Sequence, residues 1–269
     1  MEPEEKMKNV VENMTYSYSS INGYYTCPHQ FYLTYIERRP RKQNFFSQYG
    51  LLVHEILEMY FRNDLEIWDL VQYYKDNYDK WVTLQLPFFL RKYDTYYADG
   101  LKFFEEFEFD KSDYEIVAIE DTYREEFKDF KIVVKPDLIL KNKKTGENIL
   151  IDYKTSKLKG NKYDKSKLEG YKKQFLLYTY FTWLNQDVEI TKIIIWFIRN
   201  NQEFEIKIEH EDIMETLEWF ENGVASAKND TEWKPNLKSS NKFFCENLCS
   251  VYEYCEGRNP NAISELSQT

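Results

Sequence analysis

The chain has 269 residues, a formal net charge of −10 and 18% aromatic residues, with few glycines and prolines. This length is enough for one large domain or two small ones, with an extensive core. The sequence contains no run of about 18 apolar residues, so we expect no membrane span. The acidic N-terminal stretch, MEPEEKMKNVVENM, lacks the apolar segment of a secretory signal. We therefore expect a cytoplasmic protein without membrane contact, and the negative charge argues against a nonspecific nucleic-acid coat.

The first patterned stretch covers residues 15–38, TYSYSSINGYYTCPHQFYLTYIER, in which aromatic residues recur at helical spacing. Serine and threonine residues near its start are candidate helix caps. Gly23 and Pro28 interrupt the spacing, so the stretch predicts two short helices rather than one.

Two helical regions follow. Residues 45–61, FFSQYGLLVHEILEMYF, form an amphipathic pattern that places Gly50 and His54 on one helix face, where the glycine leaves room beside the imidazole. A lone histidine on such a helix is commonly structural. Residues 62–110 are rich in aromatic and acidic residues, and we expect a helical insertion there. Its aromatic side chains either pack in a core, the commoner case, or stack on single-stranded bases.

Residues 113–121, DYEIVAIED, alternate as a strand, and a hairpin is predicted over residues 133–155, VVKPDLILKNKKTGENILIDYKT. Asp152 and Lys154 are two residues apart, so their side chains leave the same face of the second strand. If the turn centres on residues 144–145 or 145–146, Asp137 lies opposite Asp152 or Lys154. A register slip of one residue would separate them.

Two carboxylates at cross-strand distance among apolar residues repel each other and lose solvation. A divalent cation that prefers oxygen ligands, Mg²⁺ or Mn²⁺, relieves both costs. Lys154 then supplies positive charge where a phosphate group develops negative charge. For an isolated D-x-K, a surface hairpin with an Asp–Lys pair is the commoner explanation. Glu120 is a candidate third carboxylate, although an exposed strand end explains it equally well.

A lysine-rich stretch follows the hairpin. Residues 154–173 contain eight lysines and two acids, so this acidic chain can present one basic lane. Lys157, Lys159 and Lys162 are our candidates for gripping a phosphate backbone, although a solvated loop and helix face is the commoner origin of such a run. Helical spacing then predicts a helix over residues 168–184.

The last pattern in the sequence is the spacing of its four cysteines. Cys27 stands alone, whereas Cys245, Cys249 and Cys255 form C-x(3)-C-x(5)-C near the C-terminus. Cysteines of an intracellular chain rarely form disulfides and more often bind a metal or cluster. Four thiolates suit either Zn²⁺ or an iron–sulfur cluster, and their spacing does not distinguish the two. The alternative is four unrelated buried thiols.

The order of these motifs resembles the PD-(D/E)XK nuclease superfamily, and within it the RecB-like branch that holds AddB-type nucleases and the exonucleases of CRISPR adaptation. The resemblance rests on S-x-S-x(4)-Y-x-x-C-P-x-x-F from Ser17 to Phe31, then G-x-x-x-H, P-D, D-x-K-T, Q-x-x-x-Y and the cysteine trio. The first gap of the trio is one residue longer than the C-x(2)-C-x(5)-C usual in the branch.

The resemblance implies an α/β fold, with a restriction-endonuclease-like core of a mixed central β-sheet flanked by helices. Residues 1–269 would form a single nuclease domain, with residues 62–110 as the helical insertion. The segment 239–257 would pair with Cys27, so that Cys27, Cys245, Cys249 and Cys255 hold a [4Fe-4S] cluster that joins the termini.

The resemblance also implies site residues. Mg²⁺ or Mn²⁺ would be held by His54, Asp137, Asp152 and the backbone carbonyl of Tyr153. Lys154 would act with Asp152 and Asp137 in catalysis, by positioning or helping to deprotonate the attacking water. Gln174 and Tyr178, which are i,i+4 neighbours on the predicted helix, would orient the substrate and the site.

The implied function is a metal-dependent DNA nuclease, and the favoured form is an exonuclease that acts on single-stranded DNA ends. The alternative is a catalytically inactive nuclease-like module that binds DNA ends or a partner protein, with the cysteines as a structural clip. An RNA substrate stays open, because the site chemistry does not register the 2′-hydroxyl. The acidic composition also suggests a protein partner or a homo-oligomer.

Overall fold

The computed structural model describes residues 3–158, 160 and 162–258, and these residues divide into two compact units. The first unit comprises Met1–Asn44, Arg124–Val133 and Leu217–Thr269, and the second comprises Phe45–Tyr123 and Val134–Thr216. Within the described ranges, no helix is both long enough and apolar enough to cross a membrane. The single nuclease domain over residues 1–269 stays a prediction.

The described residues form both strands and helices. The strands are β1 (Thr15–Tyr16), β2 (Tyr114–Ile119), β3 (Tyr123–Phe127), β4 (Phe130–Val134), β5 (Leu138–Asn142), β6 (Asn148–Lys154), β7 (Lys192–Phe197) and β8 (Gln202–Ile206). The α-helices are α1 (Pro3–Asn13), α2 (Tyr18–Thr26), α3 (Pro28–Phe31), α4 (Phe45–Phe61), α5 (Leu70–Trp81), α6 (Tyr96–Glu105), α7 (Lys162–Gln186), α8 (His210–Asn229) and α9 (Lys242–Asn247). A π-helical turn covers Tyr32–Ile36, and short 3₁₀ turns cover Ile67–Asp69, Phe88–Tyr93, Lys111–Asp113, Ile198–Asn200, Ser239–Asn241 and Tyr252–Tyr254.

A five-stranded mixed sheet forms the centre of the second unit, in the order β2-β5-β6-β7-β8. β6 pairs parallel with β7 and antiparallel with β5, and β2 and β8 close the two edges in antiparallel pairs. The central strands are apolar on both faces, as strands covered on both sides must be, and Leu150, Ile193 and Ile195 are fully buried. The predicted mixed α/β fold is therefore confirmed.

The hairpin β5–β6 has one of the two registers that its sequence allows. Leu138 pairs with Ile151, and Lys141 pairs with Asn148, so the turn centres on residues 144–145. The Asn142 side chain accepts hydrogen bonds from the backbone N–H groups of Lys144 (2.9 Å) and Thr145 (3.1 Å), which is a side-chain-stabilised turn. Continued by one residue, this register sets Asp137 opposite Asp152.

The helices of the second unit cover an aromatic core. α4 has the bounds that its amphipathic pattern predicts, and it packs with α5 and α6 of the expected helical insertion. Tyr74 and Phe103 of this insertion are fully buried, which agrees with core packing, whereas Trp68 and Phe88 are exposed. α7 begins at Lys162 rather than at Leu168, because apolar spacing marks only the part of a helix that has an apolar face and the first six residues of α7 are mostly polar.

The first unit contains a three-stranded sheet in the order β1-β4-β3, with β1 parallel to β4. Ser17 caps α2 in a reciprocal capping box with Ser20. The predicted division into two helices is confirmed, but the break lies at Cys27 and Pro28, where proline begins α3. Gly23 stays inside α2, because a single glycine weakens a helix without ending it.

Candidate active site

The candidate site lies in the second unit, where the ends of three strands meet helix α4. The backbone N–H of Glu120, just after β2, donates to the carbonyl of Asp137, just before β5, at 3.0 Å. The backbone N–H of Tyr153 in β6 donates to Asp137 Oδ2 at 2.9 Å. Two backbone hydrogen bonds thus fix Asp137 between neighbouring strands, and its carboxylate points toward β6.

His54 reaches this point from α4, with its side chain 28% exposed. Its Nδ1 lies 3.4 Å from Asp137 Oδ2 and 3.8 Å from Glu120 Oε1, and its Nε2 lies 3.0 Å from the carbonyl oxygen of Tyr153. Because a carbonyl can only accept, Nε2 carries the proton in that hydrogen bond. Burial lowers the pKa of His54, but Asp137 and Glu120 outweigh it and raise that pKa to about 8.

Glu120 contributes a further acid to the cluster. Its backbone has φ +54°, a left-handed conformation that is strained for a residue with a side chain and that recurs at functional sites. Its carboxylate is 17% exposed and also pairs with Lys135. Burial raises the pKa of Glu120, but hydrogen bonds from His54 and Lys135 lower it to a greater extent. One ligand atom each from His54, Glu120 and Asp137 lie within 4.8 Å of one another.

Asp152 is the most deeply buried carboxylate of the site, with its side chain 2% exposed. Its Oδ2 lies 2.6 Å from Lys154 Nζ, yet this oxygen accepts no well-aligned hydrogen bond among the described residues. Burial and the negative charge of Asp137 raise the pKa of Asp152. Burial lowers the pKa of Lys154, but Asp152 and Asp137 more than compensate and raise it.

α7 supplies the groups that surround Lys154. Gln174 Oε1 lies 3.4 Å from Lys154 Nζ, and Gln174 Nε2 donates to the Tyr178 hydroxyl at 2.8 Å. The ammonium group also lies over the rings of Tyr171 (4.8 Å) and Phe175 (5.2 Å), which is a cation–π contact. Burial raises the pKa of Tyr178 to about 12. Gln174 and Tyr178 therefore lie in one chain of contacts that leads to Asp152.

Other predicted residues lie outside this cluster. Lys157 Nζ lies 2.8 Å from Asp99 Oδ1, so its ammonium group already forms an ion pair with a carboxylate of the protein. Lys159 lies outside the described residues, and Lys162 begins α7 with a side chain that is likewise outside them. A Cβ added to Gly50 would meet Thr155 Oγ1 at 3.6 Å, an ordinary contact. The expectation that Gly50 leaves room beside the imidazole stays a prediction.

The four cysteines belong to the first unit, and none of them forms a disulfide. Cys27 and Cys255 are buried, and Asn236 N–H points at Cys27 Sγ at 3.4 Å. Burial raises the pKa of Cys249 to about 12, and the neighbouring thiols of Cys255, Cys27 and Cys245 add to the effect. Residues more than two hundred positions apart are thus brought into one neighbourhood. No three of these sulfurs lie within 4.8 Å of one another in the part of the chain that the structure describes.

A family model described as the PD-(D/E)XK nuclease superfamily matches residues 15–256, nearly the whole chain. The chain belongs to the PD-(D/E)XK nuclease superfamily. The chain contains a P-D at Pro136–Asp137, just before β5, and a D-x-K from Asp152 to Lys154, at the end of β6; that these are the motif residues of the superfamily stays a prediction. Superfamily members usually act with divalent metals, and the histidine and two carboxylates described above offer a site for one.

Among solved structures, the chain is similar to a crystal structure of a candidate exonuclease from Eubacterium rectale, with a TM-score of 0.49 and 16% identity over 87% of this chain and 88% of that chain. No curated protein matches the chain.

The residue that sequence reasoning undervalued is Glu120. The sequence feature that points to Glu120 is the presence of an acidic residue at the end of the strand that precedes P-D. The distance from Glu120 to His54 depends on how β2 pairs with β5. The roles assigned to Asp152 and the Tyr153 carbonyl as metal ligands, and to Gln174 and Tyr178 toward substrate, stay predictions.

Proposed function

We propose that this nuclease is a metal-dependent deoxyribonuclease that digests single-stranded DNA from an end. The observation that supports it best is the convergence of His54, Glu120 and Asp137 beside the buried pair of Asp152 and Lys154. Carboxylate oxygens with one imidazole suit Mg²⁺ or Mn²⁺.

In this proposal, His54, Glu120 and Asp137 hold the ion, with Asp152 and the Tyr153 carbonyl as additional oxygen donors. The ion, when bound, supplies a water of lowered pKa and neutralises charge at the scissile phosphate. Lys154 directs its ammonium group toward the attacking water and the negative charge that develops on the phosphate oxygens. Gln174 holds Lys154 at that position, and the neutral Tyr178 hydroxyl holds Gln174 in turn.

The preference for single-stranded ends rests on the resemblance of the ordered motifs to the RecB-like branch. The lysines that follow the hairpin add a positive stretch to an acidic chain, which suits a phosphate backbone. Lys159 and Lys162 remain the candidates for this contact, whereas Lys157 must first exchange its Asp99 partner.

Four thiolates suit either Zn²⁺ or an iron–sulfur cluster, and the four cysteines lie in the same unit. The resemblance of the ordered motifs to the RecB-like branch favours a [4Fe-4S] cluster. We therefore propose that Cys27, Cys245, Cys249 and Cys255 hold such a cluster and join the two ends of the chain.

The function is tested with end-labelled single- and double-stranded DNA, incubated with anaerobically purified protein and Mn²⁺, Mg²⁺ or EDTA. We expect metal-dependent shortening of the single strand from one end, and the surviving label reveals the polarity. Asp137→Asn and Glu120→Gln should abolish or strongly reduce cleavage while DNA binding persists, because each removes a negative ligand without changing side-chain size.

The matched control is Asp113→Asn, which removes an equal charge from a partly exposed carboxylate of the same unit that pairs with Lys144. It should cleave like the wild type. Retained DNA binding without cleavage under every metal condition would favour the inactive end-binding module. Cleavage that persists unchanged in Asp137→Asn would contradict the proposed site.

The cluster is tested separately by native mass spectrometry and the visible spectrum of the anaerobically purified protein. A mass increase of four irons and four sulfides, lost in Cys255→Ser, is the expected result. One bound zinc, or a metal-free chain of full stability, would show the assignment to be wrong.

A further inference from the structure

A pocket in the first unit is lined by positively charged side chains, although the chain as a whole is acidic. It has a volume of about 370 Å³ and lies where the π-helical turn ends and β1 begins. Three arginines and two threonines line it, and the lining includes Thr15, Thr34, Tyr35, Arg38, Arg39 and Arg41. All of them belong to the first unit.

The positive charge of this pocket is only partly neutralised. Arg39 pairs with Glu37 through Nε and Oε2 at 2.7 Å. In the described part of the chain, no carboxylate forms an ion pair with Arg38 or Arg41. The Arg41 guanidinium instead lies 5.1 Å from the ring centroid of Tyr35 and also hydrogen-bonds the Tyr35 side chain. Because a guanidinium group has five N–H donors, others remain for a ligand.

Thr34 is the second, independent observation. Its side chain is 7% exposed, it lines the pocket, and its Oγ1 has no hydrogen-bond partner among the described residues. A helical threonine normally bonds back to the carbonyl three or four residues earlier. A buried hydroxyl without a partner is costly, so this group is explained if a ligand in the pocket accepts its proton.

The local backbone is also unusual. The turn Tyr32–Ile36 is π-helical, with Glu37 N–H donating to the Tyr32 carbonyl at 3.0 Å, and π-turns concentrate at functional sites. Arg38 follows with φ +57°, a strained conformation for arginine. Arg39 N–H then closes the turn on the Leu33 carbonyl at 2.8 Å. This sequence of turns brings Thr34 and all three arginines to the same pocket.

We propose that this arginine pocket binds a phosphate group of a nucleic-acid strand, through the guanidinium groups of Arg38, Arg39 and Arg41 and the Thr34 hydroxyl. Arginine forks match phosphate oxygens, and the hydroxyl adds a neutral donor. The choice of a nucleic acid as the source of the phosphate rests on the proposed function. The competing explanation is structural: cations near a helix C-terminus stabilise its carbonyls without any ligand.

The test measures binding of a fluorescein-labelled single-stranded oligonucleotide to the full-length, anaerobically purified chain by anisotropy, in EDTA so that no cleavage is needed. Thr34→Val is the sharpest variant, since it keeps the side-chain shape and deletes only the hydroxyl. Arg38→Gln and Arg41→Gln delete one charge each. Lys234→Gln is the matched control, because it deletes one charge from an exposed lysine of the same unit that pairs with Glu232.

We expect Arg38→Gln and Arg41→Gln each to weaken binding by about tenfold at low salt and to reduce the slope of log K against log salt by about 0.7. Thr34→Val should weaken binding by about fivefold with an unchanged salt slope, and it should fold at least as stably as the wild type. Oligonucleotides with and without a 5′-phosphate distinguish the source: equal losses indicate internal phosphodiesters, and losses confined to the phosphorylated strand indicate a terminal phosphate.

Binding by the arginine and Thr34→Val variants that matches Lys234→Gln would overturn the proposal and leave the structural role. Weak or absent binding by the wild-type chain would overturn it as well. Because the assay needs no catalysis, the outcome is independent of the cleavage test: an inactive protein that binds DNA through these residues would refute the nuclease proposal and leave the pocket intact.

Discussion

The buried ion pair of Asp152 and Lys154 should stabilise the folded protein only while both partners are present. At an effective dielectric constant of about 20, unit charges separated by 2.6 Å attract each other by about 6 kcal/mol. Much of this attraction offsets the desolvation of two side chains that are 2% and 17% exposed. Removing Lys154 alone leaves a buried carboxylate beside Asp137 without its counter-charge, and such changes cost about 3–5 kcal/mol.

We therefore expect Lys154→Met to lower the free energy of unfolding by about 3 kcal/mol or more in the absence of metal. With a urea slope of about 3 kcal/mol per M, the midpoint would fall by about 1 M. The double variant Asp152→Asn/Lys154→Met replaces the ion pair by uncharged groups and should recover most of the loss. Asp152→Asn alone should cost less than Lys154→Met, because Lys154 keeps its contacts with Gln174 and two aromatic rings.

The assay is urea unfolding followed by circular dichroism, in EDTA and at mildly alkaline pH. Lys144→Met is the control, since it breaks an ion pair of similar length (2.7 Å) to Asp113 whose two side chains are 73% and 42% exposed. Exposed pairs contribute little, so its midpoint should stay close to that of the wild type. The reasoning is refuted if Lys154→Met unfolds at the midpoint of Lys144→Met, or if the double variant is less stable than Lys154→Met.

Two further changes test packing and charge in the second unit by the same unfolding measurement. Gly100→Ala would place Cβ 2.4 Å from the Tyr74 hydroxyl, which is fully buried, and should cost about 1–3 kcal/mol. Tyr74→Phe should restore part of that loss, whereas a gain in stability from Gly100→Ala, as helix propensity alone would give, would contradict the clash. Asp99→Asn should destabilise by about 2 kcal/mol at neutral pH, since Asp99 accepts from both Lys157 (2.8 Å) and Arg199 (2.9 Å). Burial raises the pKa of Asp99, but these donors lower it overall. The contribution of Asp99 to the free energy of unfolding should therefore be complete above the ordinary aspartate pKa and vanish as the pH falls through the lowered value. A stability advantage of the wild type over Asp99→Asn that persists in strong acid would contradict this.

The local elements around the site could be predicted from the sequence because their signals are local. The alternation of apolar residues and the polar turn predict the hairpin, in which Asp152 and Lys154 share a face and Asp137 lies opposite one of them. The observed register sets it opposite Asp152. The amphipathic spacing of residues 45–61 gives α4 the observed bounds. Even Gln174 and Tyr178 follow from an i,i+4 spacing on one helix.

Tertiary structure decided which of these groups touch. No local sequence pattern predicts that Glu120 contacts His54, since the two residues are 66 positions apart. They meet at 3.8 Å because β2 pairs with β5 under α4. Lys157 looked like a phosphate ligand, but folding sets it against Asp99. Periodicity reports the face on which a side chain lies, whereas the partner on that face is chosen by the packing of segments that are distant in the chain.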